Sequence, residues 1–332
     1  MKKNIIYIVT AAVCMLLLSN QGYGQFSKAG RTTYQFLKIG VSARASGMGE
    51  AIIANTQDVN SVFWNPAAIT QIENLQASFN YVKWIADLNI MAGAIGYKIP
   101  GIATVSLNYI GLNYGNIQEA LVVPQAGKAD TRTGTTFSGK DLAIGFSVAR
   151  EFTDRLSIGV NVKYLREDLY TLSNSMWSLD VGTYYNTGWK GIRIAMTAQN
   201  FSKQARWLDT KEESQQSYEL PLLFRIGTSI DLMGGTDLLL GGDPTRGKLS
   251  LNIDAVHSND YAERLNIGGE YLLLNTLALR AGYRINYDEG NLGFGIGINT
   301  EQFSGLKLQL DYSYVKYDFL DSPHRFTLMF AF

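Results

Sequence analysis

The hydrophobic pattern of this chain has a period of two. Leu306, Leu308, Leu310, Tyr312 and Tyr314 alternate with Lys307, Gln309, Asp311 and Ser313. Successive side chains of an extended strand point to opposite faces, so this alternation predicts a strand with one apolar and one polar face. Leu156, Ile158, Val160, Val162 and Tyr164 stand in the same relation to Ser157, Gly159, Asn161 and Lys163. Leu249, Leu251, Ile253 and Ala255 do so against Ser250, Asn252 and Asp254, and Leu292, Phe294, Ile296 and Ile298 against Gly293, Gly295 and Gly297. Fourteen segments carry the pattern: 76–84, 88–98, 102–112, 139–150, 155–167, 176–186, 191–201, 220–232, 247–256, 263–273, 277–286, 290–300, 305–316 and 324–332.

Most of them have the ~9–11 residues that a tilted strand needs to cross a bilayer. A soluble sandwich would alternate too, so the connections between segments discriminate. The even ones are mostly tight (99–101, 151–154, 187–190, 274–276, 301–304), whereas the odd ones include the long polar stretches 113–138 and 202–219 and the middling 168–175. Short turns at one rim and long loops at the other are the habit of outer-membrane barrels. An even strand number then places both termini on the short-turn, periplasmic side. Connection 233–246 breaks the rule: either its strands overrun the membrane or a hairpin hides around Gly234-Gly235 and Gly241-Gly242.

The last segment alternates Phe326, Leu328, Phe330 and Phe332 with Thr327, Met329 and Ala331. Its aromatic end, Phe330 and Phe332, resembles the signal read by the barrel-assembly machinery, and physically it would close on the first strand at the membrane interface. Trp84, Trp177, Tyr184, Tyr185, Trp189, Tyr287 and Tyr317, near segment ends, suit interfacial girdles. The expected fold class is all-β: a transmembrane antiparallel barrel of about fourteen strands in outer-membrane lipid.

The N-terminus explains how such a chain reaches that membrane. Lys2 and Lys3 precede Ile5 to Leu18, apolar apart from Thr10, and small Gly22 and Gly24 flank Tyr23. This reads as a secretory leader, residues 1–24, cleaved before Gln25. Its apolar run of about 14 residues is short of the roughly 20 that a spanning helix needs. Cys14 follows Ala11-Ala12-Val13, a poor lipobox. Removing the leader removes the only cysteine, so no disulfide or thiol chemistry is expected. The rest carries 27 Lys and Arg (29 less the two in the leader) against 29 Asp and Glu, which excludes the basic surface that a nucleic-acid partner requires.

Residues 25–75 form a distinct lead-in to the barrel at 76–332. Asp58, Asn60 and Ser61 offer capping side chains, and Asn65-Pro66 marks a turn or a helix start. The lead-in is expected to hold a short helix and to enter the lumen or lie across its mouth. Within it, Phe36-Leu37, Ala43-Arg44-Ala45, Gly47-Met48-Gly49 and Asn65-Pro66-Ala67 resemble the N-terminal signature of the PorV/PorQ family of Bacteroidetes outer-membrane proteins. That family is similar to the FadL-type long-chain fatty-acid transporters, which share Asn-Pro-Ala. Here Ala68-Ile69-Thr70 follows, where FadL-type proteins usually have a glycine, and this counts against carrying over a fatty-acid path. The resemblance implies a plug-like N-terminal segment and an accessory role in type IX protein secretion. In that role the extracellular loops 113–138 and 202–219 would dock a translocon or exported cargo. The alternative is a FadL-like transporter for a hydrophobic small molecule.

Alternation points Lys163, Arg193, Asp254, Glu270, Arg280, Arg284, Lys307 and Asp311 inward. Mixed signs suit structural ion pairs or a clamp on the plug better than a selective pore. Gly282, Gly293, Gly295 and Gly297 leave a low inner wall, onto which the lead-in packs or beside which a cavity opens. The two histidines, His257 (with Asp254 and Asp260 near in sequence) and His324, fall at the outer rim. No His/Asp/Glu cluster has metal-ligand spacing, so no catalytic, metal or cofactor site is expected.

Overall fold

The computed structural model describes residues 30–55, 57–120, 132–208, 213–300 and 307–332; the leader and its cleavage point lie outside them. In chain order the strands are β1 (Leu75–Lys83), β2 (Asn89–Ile99), β3 (Ala103–Asn113), β4 (Ile117–Ala120), β5 (Arg132–Phe137), β6 (Gly139–Glu151), β7 (Leu156–Leu169), β8 (Leu172–Asn186) and β9 (Ile192–Phe201). They continue as β10 (Ala205–Leu208), β11 (Glu213–Tyr218), β12 (Leu223–Met233), β13 (Gly247–Ser258), β14 (Arg264–Leu273), β15 (Leu277–Ile285), β16 (Leu292–Asn299), β17 (Lys307–Lys316) and β18 (His324–Ala331). Two pairs, β4–β5 and β10–β11, are separate hairpins in the long loops. The other fourteen strands close an antiparallel barrel, as the alternation predicts. Its seam joins β1 to β18 from Gln76 opposite Ala331 to Lys83 opposite His324.

Each of the fourteen expected segments coincides with a barrel strand, with shifts at the ends. β12 starts at Leu223 rather than 220 because Pro221 has no N–H to donate and the Leu222 N–H turns back to the Leu220 carbonyl, 2.9 Å away. The expected loop 168–175 is instead a tight turn: β7 and β8 pair up to Leu169 opposite Leu172, and Tyr170 takes a positive φ of 54°. Connection 233–246 folds back on itself through Leu240 N–H to Leu232 O (2.9 Å) and Gly234 N–H to Gly241 O (3.1 Å), without a further strand.

Apolar side chains such as Phe79, Leu107, Phe146, Ile226, Ile296 and Leu310 cover the outer wall and are half exposed, the belt that lipid would cover. The inner wall carries small polar groups, among them Ser106, Ser147, Asn161, Ser229, Asn252 and Ser313, all buried. They are buried because residues 30–72 fill the lumen. This segment holds the apolar core of the molecule, with Tyr34, Val41, Met48, Ile52, Ile53, Trp64 and Ile69 at 2% exposure or less. Its one α-helical turn is Ala43–Gly47, not the stretch with capping residues. There the Asp58 and Asn65 side chains cap 3-10 turns, Val59–Phe63 and Pro66–Gln71.

The plug runs from one end of the barrel to the other. Phe332 donates its N–H to Leu75 O (2.9 Å) at the short-turn end. Thr33 donates its N–H to Glu219 O (3.1 Å), and Thr32 bonds Asp260, both partners lying in loops at the opposite end. The first and last described residues are therefore at opposite ends of the barrel, not together. Strand parity fixes only where β1 begins, and the plug climbs the whole lumen before it.

Candidate functional site

The plug meets the barrel where side chains are missing. A Cβ on Gly282 would lie 2.1 Å from the Gly49 nitrogen, one on Gly268 2.2 Å from Met48 O, and one on Gly293 2.5 Å from Ser46 O. Of the two readings of the glycine wall, the structure takes the first: the Ser46-Gly47-Met48-Gly49 turn lies directly on β14, β15 and β16. Gly297 serves differently, leaving room for the Asp311 and Arg280 side chains.

Asn-Pro-Ala occupies a second glycine seat. Asn65 Oδ1 accepts from Ala67 N–H (3.0 Å), while Nδ2 donates to Ile53 O and Thr183 O, each 3.1 Å away. One amide thus starts the turn, ties it to the rest of the plug and fastens it to β8. Pro66 at the first position of the turn loses no hydrogen bond, since that N–H has no partner within the turn. A Cβ on Gly182 would sit 2.1 Å from Asn65 Oδ1, and one on Gly159 2.5 Å from Ala67 N. Near the long-loop mouth the buried Phe36 ring lies 6.3 Å from Tyr34, with Leu37 packed against the same core. Ala43 N–H donates to the Thr327 hydroxyl (2.9 Å), and Ala45 is buried among the plug residues.

Ion pairs divide into those that stiffen the wall and those that hold the plug. Lys163 pairs with Asp180 (2.7 Å) and Arg193 with Asp231 (2.5 Å), wall to wall. Arg44, from the plug, makes two hydrogen bonds to Glu270 (2.9 and 2.8 Å) and reaches Asp58 (3.2 Å). Arg280 continues the chain to Glu270 (2.6 Å) and Asp311 (2.7 Å). Asp254 accepts the N–H groups of Ile52 (2.7 Å) and Ile53 (3.1 Å), pinning a plug turn. Two of these side chains lie at the rims, where they line the end cavities. Lys307 begins β17 at the short-turn rim, where it is half exposed and pairs with Glu73 (3.0 Å). Arg284 lies at the long-loop mouth, because β15 ends one residue later.

Several contributors escaped sequence reading. Asp180 and Arg325 share a cause: their partners, Lys163 and Asn200 for the one and Gly40 for the other, come close only when strands pair and the barrel closes. Arg325 had a signal, since it precedes Thr327, Met329 and Ala331 on the inner face of β18. It is 2% exposed and donates to Gly40 O (2.8 Å). Glu167 and Asp260 hold the plug's upper end, through Thr33 (2.6 Å) and through Lys38 (2.7 Å) and Thr32 (2.9 Å). Burial pushes the Lys38 ammonium below its usual range, with Asp260 offsetting part of that. At Asp260 burial also works against the charge, but Lys38 and the Ser258 and Thr32 hydroxyls outweigh it and lower the carboxyl.

The histidines lie on the outer face of the rim. His257 meets Glu263 (3.1 Å), while Asp254 points the other way into the lumen; His324 meets the Tyr312 hydroxyl (2.8 Å). Among the described residues no three His, Cys, Asp or Glu side chains group as metal ligands.

Between a cavity at each end, the lumen is thus a packed interior. The model for the type IX secretion system protein PorV matches this sequence over residues 24–233. The chain belongs to the PorV family of type IX secretion system proteins. No curated protein sequence matches it. Among solved structures, this PorV-family barrel is similar to the toluene transporter TbuX of Ralstonia pickettii, at 12% identity and a TM-score of 0.57, covering 88% of this chain and 98% of that one. The toluene transporter TodX of Pseudomonas putida gives 10% identity and 0.57, with 88% and 97% covered. A FadL homologue of Pseudomonas aeruginosa gives 11% and 0.55, with 88% and 98% covered. At such identities the likeness is one of fold: an outer-membrane barrel of the FadL shape.

Proposed function

We propose that this PorV-family barrel is a non-catalytic docking component of type IX protein secretion. In this reading its long-loop end faces outward and holds a translocon component or an exported cargo protein. The observation that supports it is the filled lumen. Glu270, Asp254, Arg325, Thr327 and Asn80 on the wall all bond plug groups, and each neighbouring strand pair around the barrel is hydrogen-bonded. With the interior given over to holding its own N-terminal segment, the surfaces left for a partner are the loops, and the two longest carry hairpins of their own. Phe330 and Phe332 would serve the barrel-assembly machinery on the periplasmic side. A tagged chain solubilised in mild detergent should carry a large outer-membrane protein with it, and shortening loops 113–138 and 202–219 should release that partner while the barrel stays folded. Recovery of the barrel alone, together with normal secretion in a deletion strain, would overturn the reading.

The competing reading is a transporter for a hydrophobic small molecule, favoured by the fold it shares with the toluene transporters. The register shifts between barrel strands fall at Leu179/Val181 and Asp231/Met233. At the first, the Asp180 carboxylate accepts the Asn200 N–H (2.8 Å) and bridges the gap. A transporter would need both the plug and such a site to move. Substrate-dependent uptake into proteoliposomes would establish it.

A further inference from the structure

At the long-loop mouth a cavity of 480 Å3 lies between plug residues 35–40 and the barrel rim. Among the described residues, three arginines of its wall have no carboxylate within ion-pair distance. Arg264 donates to Asn286 O (3.3 Å) and lies over the rings of Tyr261 (4.1 Å) and Tyr287 (4.3 Å). Arg284 donates to Gly290 O (2.5 Å) and lies 4.7 Å over Tyr287. Arg325, at the buried inner end, donates to Gly40 O and lies 5.3 Å from the Trp84 ring; its Nη1 has no hydrogen-bond partner among the described residues.

The remaining charges of the wall are committed. Lys38 is taken by Asp260. Glu50 accepts from the Ser46 hydroxyl (3.3 Å) and the Trp64 indole (3.2 Å). Glu289 accepts the N–H groups of Asp318 (2.8 Å) and Phe319 (3.1 Å). A guanidinium has five donors in a planar fork suited to a carboxylate, and each of these three uses one on a carbonyl. Buried donors without partners are uncommon, and a cleft combining aromatic walls with a few convergent polar groups is the usual form of a small-molecule site.

We propose that this cavity binds a small organic carboxylate with a flat apolar body. The acid group would take the free donors of Arg264, Arg284 and Arg325, and the body would lie against Trp84, Tyr317 and Phe36. The volume is that of a small-molecule cleft, and the plug closes its inner side, so a free acid fits better than a through-running polypeptide. The inference stands apart from any docking role of the long loops.

Titration calorimetry of the full chain in dodecyl maltoside, with phenylacetate as the probe, tests it. Saturable binding is expected. The neutral isostere phenylacetamide should bind at least about tenfold more weakly, and an Arg264→Gln/Arg284→Gln variant should lose at least about tenfold in phenylacetate affinity. Both substitutions lie at the rim, so the variant should keep the gel migration of the folded barrel. Equal binding of the amide, unchanged binding by the variant, or no saturable phenylacetate binding would overturn the proposal. So would an acidic peptide, acetyl-Asp-Phe-amide, binding more tightly than phenylacetate, because that result would assign the cavity to a polypeptide.

Discussion

Arg44 of the plug and Glu270 of β14 are joined by two hydrogen bonds, at 2.9 and 2.8 Å, and the same carboxylate receives Arg280 from β15. Removing one partner of such a pair leaves a charge in a poorly solvated place, which costs about 3 kcal/mol in comparable buried pairs. Arg44→Met should therefore lower the temperature at which the folded gel band of unboiled samples disappears. It should also turn a silent barrel into one with measurable conductance in planar bilayers. An unchanged melting temperature and continued silence would show that the pair does not hold the plug.

Gly282 tests the same contact from the wall. Its missing Cβ would lie 2.1 Å from plug backbone, which a side chain cannot displace at small cost. Overpacking in a tight core commonly costs ~1–3 kcal/mol, and a clash with backbone falls at the upper end. Gly282→Val should reduce the fraction of folded barrel or expel the plug, read as protease sensitivity within residues 30–72. Gly269→Ala is the control: its Cβ would meet nothing nearer than Ser250 O at 3.7 Å, so folding should be unaffected.

These contacts mark the limit of what the sequence discloses. Alternation at Leu306 to Tyr314 or Leu156 to Tyr164 identifies a strand and its faces, because sheet sterics are local and repeat every two residues. The plug has no such period. Its bonds, such as Ala43 to Thr327 or Ile52 to Asp254, join positions far apart in the chain, and only closure of the barrel brings them together. The hairpins β4–β5 and β10–β11 were missed because short polar strands in a loop show no face to bury. Asn-Pro-Ala was legible as a turn start, but its seat on Gly159 and Gly182 was not.

Acid should loosen the upper end of the plug. The Asp260 carboxyl is held below its usual range, so the folded state binds fewer protons there than the unfolded chain does. The stability it supplies is present above the unfolded carboxylate value of about 3.9 and is lost as the pH falls through the lower folded value. The lowered Lys38 ammonium has the opposite history. Its burial penalty is constant through the neutral range and is relieved only as the pH climbs toward the unfolded lysine value of about 10.4. Hydrogen exchange of residues 32–38 should thus accelerate below about pH 4. The acceleration should be absent in Asp260→Asn, which should exchange fast at neutral pH already.

The aromatic end of β18 should matter to assembly more than to the finished fold. Phe332 is 63% exposed, so its ring adds little packing, although its N–H closes the seam on Leu75. Deleting Phe332 should lower the yield of folded barrel in the outer membrane several-fold while leaving the melting temperature of the recovered protein within a few degrees of the parent. A lowered melting temperature with normal yield would assign it a structural role instead.

The seam between the first and last strands is also where the plug is read. Asn80 of β1 bonds both Asn60 and Thr327, Thr327 of β18 receives Ala43, and Arg325 grips Gly40. A cylinder that zipped shut around empty space would strand all of these groups, just where the final strand pairing has to form. Seam and plug therefore share their hydrogen bonds, so that loosening either one removes partners from the other.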